Sequence, residues 1–170
     1  MVFWLTGLPG SGKTALAERL SGYLRAQGLR VERLDGDTLR AMFPGTGYSR
    51  EARNTHVLRA GNLAAQMERD GAIVVASLIS PYREARAYVR TLCSSFVEVY
   101  VKASLETCEK RDPKGLFKKA RSGEIRNFTG VDDPYEPPES PELHLQTVDR
   151  TVEDNVSDVI AYLEARGFLE

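Results

Sequence analysis

The chain has 170 residues, 42% of them hydrophobic, which is enough for one domain with one ordinary core and leaves no room for a second. Lys plus Arg (23) nearly cancel Asp plus Glu (24), so no global field draws in nucleic acid or a membrane surface, and an anion must be bound at a local site. Cys93 and Cys108 lack C-x-x-C spacing, His56 and His144 lie far apart, and no run is long and apolar enough for a span or patterned as a signal peptide. A soluble, reducing, cytoplasmic protein with a small partner is expected.

Residues 2–5 form a short apolar run ended by Gly7, after which Ala15, Leu16, Leu20 and Leu24 recur at helical spacing. The intervening loop, Gly7, Leu8, Pro9, Gly10, Ser11, Gly12, Lys13 and Thr14, fits G-x-x-x-x-G-K-[ST] in the strand, turn and helix setting that this phosphate-binding motif requires. Its glycines let backbone N–H groups approach phosphate oxygens, Lys13 reaches the β and γ phosphates, and Thr14 offers a hydroxyl to Mg²⁺. The bland alternative is an accidental glycine-rich turn. No N-K-x-D guanine signature follows, and the length leaves no room for the extra modules of a motor ATPase, so a small-molecule kinase leads.

The strand and helix unit repeats. Strands are expected at 30–34, 72–77, 96–101 and 143–148, each followed by a helical pattern, which predicts a parallel sheet covered on both faces. Two stretches break the rhythm. "FPGTGYS" at 43–49 is a turn cluster ahead of a long helical pattern through Met67, and residues 112–142 carry a short basic helical piece followed by many Pro, Gly and acidic residues. A structureless insert of that length is either a functional lid or a disordered segment.

The strand at 30–34 delivers "LDGDTLR", and strand ends at the carboxyl edge of a parallel sheet line the ligand crevice, so Asp35 and Asp37 should face the phosphate loop. Asp37 could orient an acceptor hydroxyl and hold waters on Mg²⁺, or cap the helix that begins at Thr38. Arg40, Arg53 and Arg59 lie on helical stretches near this edge, as bidentate anion donors or as solvated surface charges. Ser80 before Pro81 has the form of a helix N-cap with proline at the first helical position, a structural role that competes with chemistry. Tyr48 and Phe128 sit in glycine-containing loops, suited either to stacking on a base or to lid packing. Lys114, Lys118, Lys119 and Arg121 give the insert a basic side that could close over phosphates and exclude water, or simply face solvent.

With "GLPGSGKT", "LDGDTLR", "GYSREAR", "ISPYREAR" and "RDPKGLFKKARSGEIRNFTGVDDPYEPPESPEL" in this order, the chain resembles the adenylylsulfate kinases nearly end to end. The long insert is the most specific piece of that resemblance. The resemblance implies a single kinase domain over 1–170 with the three-layer P-loop α/β fold and a lid at about 112–142. It implies transfer of the ATP γ-phosphate to the 3′-hydroxyl of adenosine 5′-phosphosulfate. On the same analogy Asp37 lies near that hydroxyl and Mg²⁺, Arg40 and Arg53 hold the phosphosulfate, and Tyr48 and Phe128 sandwich the acceptor's adenine. Ile79 and Ser80 would contact the acceptor, Arg111 and the loop after Val148 would lie near the ATP base, and Lys114 would orient phosphates from the lid. The family also implies a homodimer, with a sulfurylase as a possible covalent or non-covalent partner. The serine matching Ser80 has been assigned in the family as a phosphoserine intermediate, whereas direct in-line transfer needs only one well-placed hydroxyl and Mg²⁺.

The chain departs from the family pattern at His56 and Leu58, where Asn and Arg are usual; His56 can still hydrogen-bond an acceptor edge, but Leu58 cannot replace a charge. Pro9, Ser11 and Asn127 also differ, while the motif spacing is intact. Many members carry a segment before the first strand, which leaves both a free-standing enzyme and a domain of a bifunctional protein open. Two rival readings remain: a P-loop kinase for another hydroxyl acceptor, which Leu58 favours, and a nucleotide-binding regulatory domain, against which Lys13, Thr14 and Asp37 count.

Overall fold

Val2, Phe3, Trp4 and Leu5 are all fully buried, and the alternation of their side chains organises the molecule. They form β1 (Val2–Thr6), and a computed structural model describing residues 1–169 places β1 at the centre of a parallel sheet. The other strands are β2 (Val31–Asp35), β3 (Ile73–Ser77), β4 (Phe96–Lys102) and β5 (Leu143–Gln146). Their spatial order is β2-β3-β1-β4-β5, and each neighbouring pair runs parallel. Phe3 and Leu5 point to one face of the sheet, Val2 and Trp4 to the other, as a period of two requires. A strand buried on both faces reads as one continuous apolar run, which is why β1 has no polar alternation.

The first face is covered by α1 (Lys13–Ala26) and α7 (Val152–Ala165), whose Leu16, Leu20, Leu24, Val156, Val159 and Leu163 close over Phe3, Leu5 and Val99. The second is covered by α2 (Gly36–Met42), α3 (Arg50–Arg69) and α4 (Arg83–Leu92), through Leu39, Val57, Ala60, Ala64, Ala85 and Val89. The contact of α3 with α4 depends on Gly61: a Cβ there would lie 2.5 Å from Val89 Cγ2, so only glycine lets the two helices approach this closely. Helix starts follow capping chemistry. Ser49 accepts from the Ala52 amide at the start of α3, and Thr151 and Asp154 form a reciprocal capping box at the start of α7.

Of the two readings the sequence leaves open for the insert at 112–142, a disordered segment does not hold, because the insert is an ordered part of the structure. After α5 (Leu105–Arg111), α6 (Leu116–Arg121) occupies the basic stretch, and Phe117, Ala120 and Phe128 join Ala103 and Cys108 in a small third core. Phe117 and Phe128 meet edge to face at 5.0 Å. Residues 134–142 then run back along α4: the Glu136 amide donates to the Pro81 carbonyl at 2.8 Å, and Glu142 pairs with Arg90 at 2.6 Å. Cys93 and Cys108 are both free thiols, and among the described residues no helix is long and apolar enough to cross a membrane.

Candidate active site

All five strands end at one edge, and the loops that leave it enclose a cleft of about 670 Å³, within the range of small-molecule sites. At its floor the Gly7–Thr14 loop connects β1 to α1. Gly12 is the N-cap of α1 at φ 102°, a left-handed conformation open to glycine, and a Cβ on Gly7 would collide with the Val101 carbonyl. The loop can therefore turn with its amides and the positive end of a 14-residue helix directed into the cleft. Pro9, Gly10, Gly12, Lys13 and Thr14 line the cleft. Gly7, Leu8 and Ser11 do not; they act from behind, the carbonyls of Gly7 and Leu8 accepting from Lys13 Nζ at 2.9 and 2.7 Å. Burial pulls the Lys13 ammonium down to about 8.

Two carboxylates follow β2, and they divide the roles that sequence leaves open. Asp35 is the N-cap of α2, accepting from the amides of Asp37 and Thr38 at 3.1 and 3.0 Å, with Ser77 Oγ at 3.4 Å. Asp37 is therefore not the cap. Its carboxylate stands in the first turn of α2, exposed to the cleft, and pairs with Lys114 of the insert. Among the described residues no group of three or more His, Cys, Asp or Glu side chains gathers as a metal cluster. Thr14, Asp35 and Asp37, all on the cleft, nonetheless offer the hard oxygen donors that suit a Mg²⁺ arriving with nucleotide phosphates.

Arg40, Tyr48, Arg53, His56, Ile79, Ser80 and Phe128 also line the cleft. Arg40 and Arg53, for which the sequence leaves anion binding or a solvated surface role open, are tied to loop backbone. Arg40 donates to the carbonyls of Thr46 and Gly47 at 3.1 and 2.9 Å, and its guanidinium lies 4.5 Å from the Tyr48 ring centroid. Arg53 is 5% exposed; it donates to the Tyr48 carbonyl at 3.1 Å and to the Asn127 carbonyl, and lies 3.5 Å from Asp133. It thus links the loop that carries Tyr48 to the loop that carries Phe128. Arg59 does not line the cleft and braces the 43–49 loop through Thr46 Oγ1 at 3.0 Å. Tyr48 is exposed beneath Arg40, whereas Phe128 is mostly buried against Phe117, so it both packs the insert and edges the cleft. His56 is buried with its Nδ1 unpartnered, and burial followed by the Arg40 charge pulls its imidazole down to about 4, so it is neutral near pH 7. Leu58 packs against the second core rather than the cleft.

The Ser80–Pro81 pair does not open a helix. Helix α4 begins at Arg83 with Tyr82 as its N-cap, and Ser80 sits at φ 41° with its hydroxyl in the core. Ser80 Oγ accepts from Trp4 Nε1 at 3.1 Å and donates to Thr6 Oγ1 at 3.0 Å. Tertiary partners on β1, invisible to a local capping rule, take the hydroxyl that a cap would use. Of the basic residues on the insert, only Lys114 reaches the cleft; Lys118 is exposed, Lys119 pairs with Glu124, and Arg121 pairs with Glu109 at 2.7 Å. Arg111 lines the cleft beside the phosphate loop, donating to the Gly10 carbonyl at 3.4 Å, and holds the turn after β5, donating to Thr147 Oγ1 at 3.0 Å and to its carbonyl at 2.6 Å. Thr147 and Asn155, which also line the cleft, carry no sequence signal of their own.

A phosphate loop, a carboxylate beside it and a second half-site walled by arginine and aromatic residues is the plan of a kinase for a small acceptor. The sequence model of the family described as adenylylsulphate kinase matches residues 1–146. The chain belongs to that family. The probable adenylyl-sulfate kinase of Aeropyrum pernix is 51% identical over 97% of this chain and 93% of that relative, and the adenylyl-sulfate kinase of Rippkaea orientalis is 48% identical over 99% and 94%. The Mycobacterium tuberculosis APS kinase, solved in complex with AMPPNP and APS, superposes with a TM-score of 0.92 at 39% identity, covering 96% of each chain. A gluconokinase from Sinorhizobium meliloti, at 19% identity and a TM-score of 0.64, shares the fold alone. The three-layer P-loop α/β architecture and the assignment as an ATP-dependent kinase both stand.

Proposed function

We propose that this kinase transfers the γ-phosphate of ATP to the 3′-hydroxyl of adenosine 5′-phosphosulfate, giving 3′-phosphoadenosine 5′-phosphosulfate and ADP. The observation that carries the reading is that Lys13, Thr14, Asp37, Tyr48, Arg53 and Phe128 all line one cleft. Lys13 and the loop amides hold the transferring phosphate and spread its charge, and Asp37 orients the acceptor hydroxyl and takes its proton as transfer proceeds. Thr14 and Asp37 are the residues that would hold Mg²⁺, which supplies charge neutralisation between the phosphates. Tyr48 and Phe128 flank the acceptor's adenine, and Arg40 and Arg53 set its walls while adding positive potential for the phosphosulfate. Leu8, Pro9, Gly10, Ser11 and Gly12 complete the phosphate loop, with Arg111 and Lys114 closing on the nucleotide.

Transfer is direct. Ser80 Oγ is engaged by Trp4 and Thr6 in a site where its residue is 2% exposed, a poor position for a nucleophile that must receive a phosphate and release it. A cytoplasmic setting, a homodimer and a sulfurylase partner belong to the same proposal and rest on family membership. The test is a coupled ADP-release assay with Mg-ATP and adenosine 5′-phosphosulfate, run beside Lys13→Ala and a no-acceptor control. Acceptor-dependent release that the variant loses is expected; ATP binding with no release on any addition of this acceptor would contradict the reading in favour of another hydroxyl substrate or a regulatory domain.

A further inference from the structure

Arg86, on α4, is 2% exposed, and its guanidinium serves three separate parts of the chain. Nε donates to Glu98 Oε1 on β4 at 2.8 Å, Nη1 to the Ser80 carbonyl at 2.5 Å, and Nη2 to the Glu136 carbonyl at 2.6 Å. Two of these partners are main-chain carbonyls: one in the loop after β3 that lines the cleft, the other in residues 134–142 of the insert. The planar fork of arginine fixes the spacing between two such groups in a way a lysine cannot. The same junction has a second tie, since Thr6 Oγ1 bonds the Ile79 carbonyl at 2.7 Å and the Tyr135 hydroxyl at 2.9 Å.

The strain at this point explains why so many groups converge. Ser80 holds φ 41°, a region that side chains other than glycine rarely adopt, and such a backbone persists only where its surroundings over-determine it. Trp4 and Thr6 secure the hydroxyl and Arg86 secures the carbonyl. Pairing with Glu98 does not account for this arrangement, because Arg90 Nη2 also reaches Glu98 at 3.4 Å and the two carbonyl bonds are separate from that pair.

We propose that Arg86 is a positioning residue for acceptor binding: it holds the Ser80 backbone in its left-handed conformation and locks the cleft wall at 79–81 to the insert at 134–142. The inference rests on the kinase reading above. Its test compares the unsubstituted chain with Arg86→Gln, Arg86→Lys, Ser80→Gly and the double variant Ser80→Gly/Arg86→Gln in steady-state assays, alongside thermal denaturation. Arg86→Gln is expected to raise the acceptor KM by about 10-fold or more while the ATP KM stays within about 2-fold. Arg86→Lys, which keeps a cation for Glu98 without the fork, restores the melting temperature but not the acceptor KM. In the Ser80→Gly background, where glycine takes the left-handed conformation without strain, Arg86→Gln raises the acceptor KM by less than about 3-fold.

An equal loss in both backgrounds, both KM values moving together, or full rescue by lysine would reduce Arg86 to a structural partner of Glu98 and overturn the proposal. If Arg86→Gln does not fold, Arg86→Lys with and without Ser80→Gly makes the same comparison. An unsubstituted chain that releases no ADP with this acceptor contradicts the kinase reading and leaves the coupling to amide hydrogen exchange. Arg86→Gln must then loosen 79–81 and 134–142 together, and loosening confined to α4 would overturn it.

Discussion

Lys114, on the insert, forms an ion pair with Asp37 in the first turn of α2, so the insert and the end of β2 meet across the cleft through two opposite charges. Both side chains are more than half exposed, which limits the pair's worth to stability to about 0–1 kcal/mol. A contact this weak can exchange for contacts to phosphate at little cost. Lys114→Met is expected to leave the melting temperature nearly unchanged and to raise the ATP KM by about 3- to 10-fold, read by steady-state kinetics. A large loss of stability with an unaltered ATP KM would make the pair structural.

Asp37 itself is free of capping duty, which Asp35 performs. Asp37→Asn keeps the shape and removes the base, so kcat should fall by about 100-fold or more while the ATP KM changes only a few-fold. Unchanged kcat in that variant would remove Asp37 from the chemistry.

Lys13 is held near 8 by burial, against an ordinary 10.5, so its ammonium is present at pH 7 and lost as pH rises through about 8. In the free enzyme kcat/KM for ATP should therefore decline above pH 8, and Lys13→Arg should move that limb upward even if its overall rate is lower. The stability consequence has the opposite sign. Between about 8 and 10.5 the unfolded chain binds the extra proton, so the Lys13 contribution makes the fold relatively more stable with rising pH. A pH profile with no Lys13-dependent limb between 7 and 10 would contradict this.

His56 follows the same logic at acid pH. Its imidazole titrates near 4 in the fold against about 6.5 when exposed, so as pH falls from 6.5 toward 4 the unfolded chain gains the proton first and stability drops. His56→Asn should flatten the fall in melting temperature across that window. Acceptor KM should show no His56 limb between pH 6 and 8; a limb there that the substitution abolishes would mean the imidazole is charged in the working enzyme.

Phe128 combines two duties, packing on Phe117 and edging the cleft. Phe128→Ala should cost about 3 kcal/mol of stability through the lost core contact and also raise the acceptor KM. An effect on ATP alone would assign the ring to the other half of the cleft.

The elements that the sequence announces are those whose signal is local. The strand, glycine loop and helix around Gly7–Thr14 are written in consecutive residues, as is the continuous apolar run of a central parallel strand. Boundaries moved by a residue or two where the sheet edge decides: β5 ends at Gln146 because the next residue, Thr147, turns to receive Arg111. The misreadings share one cause. Ser80–Pro81 satisfies a local rule for a helix start, whereas its hydroxyl is held mainly by Trp4 and Thr6, both distant in sequence. Arg86 and Tyr135 lie within "ISPYREAR" and "DDPYE", yet no local rule gives either a role, because both gain their importance from partners on other elements. Beyond its short basic helical piece the insert reads as loop, because no period links Phe117 to Phe128, although together they bury a small core of their own.

The central claim is that phosphate leaves ATP and arrives on one hydroxyl of the acceptor within this cleft. Phosphorus NMR of a reaction with Mg-ATP and adenosine 5′-phosphosulfate tests it most directly. A new phosphomonoester resonance coupled to the ribose 3′ position is expected, appearing in step with ADP and absent with Lys13→Ala. ADP accompanied only by inorganic phosphate, or a phosphomonoester at another position, would contradict it.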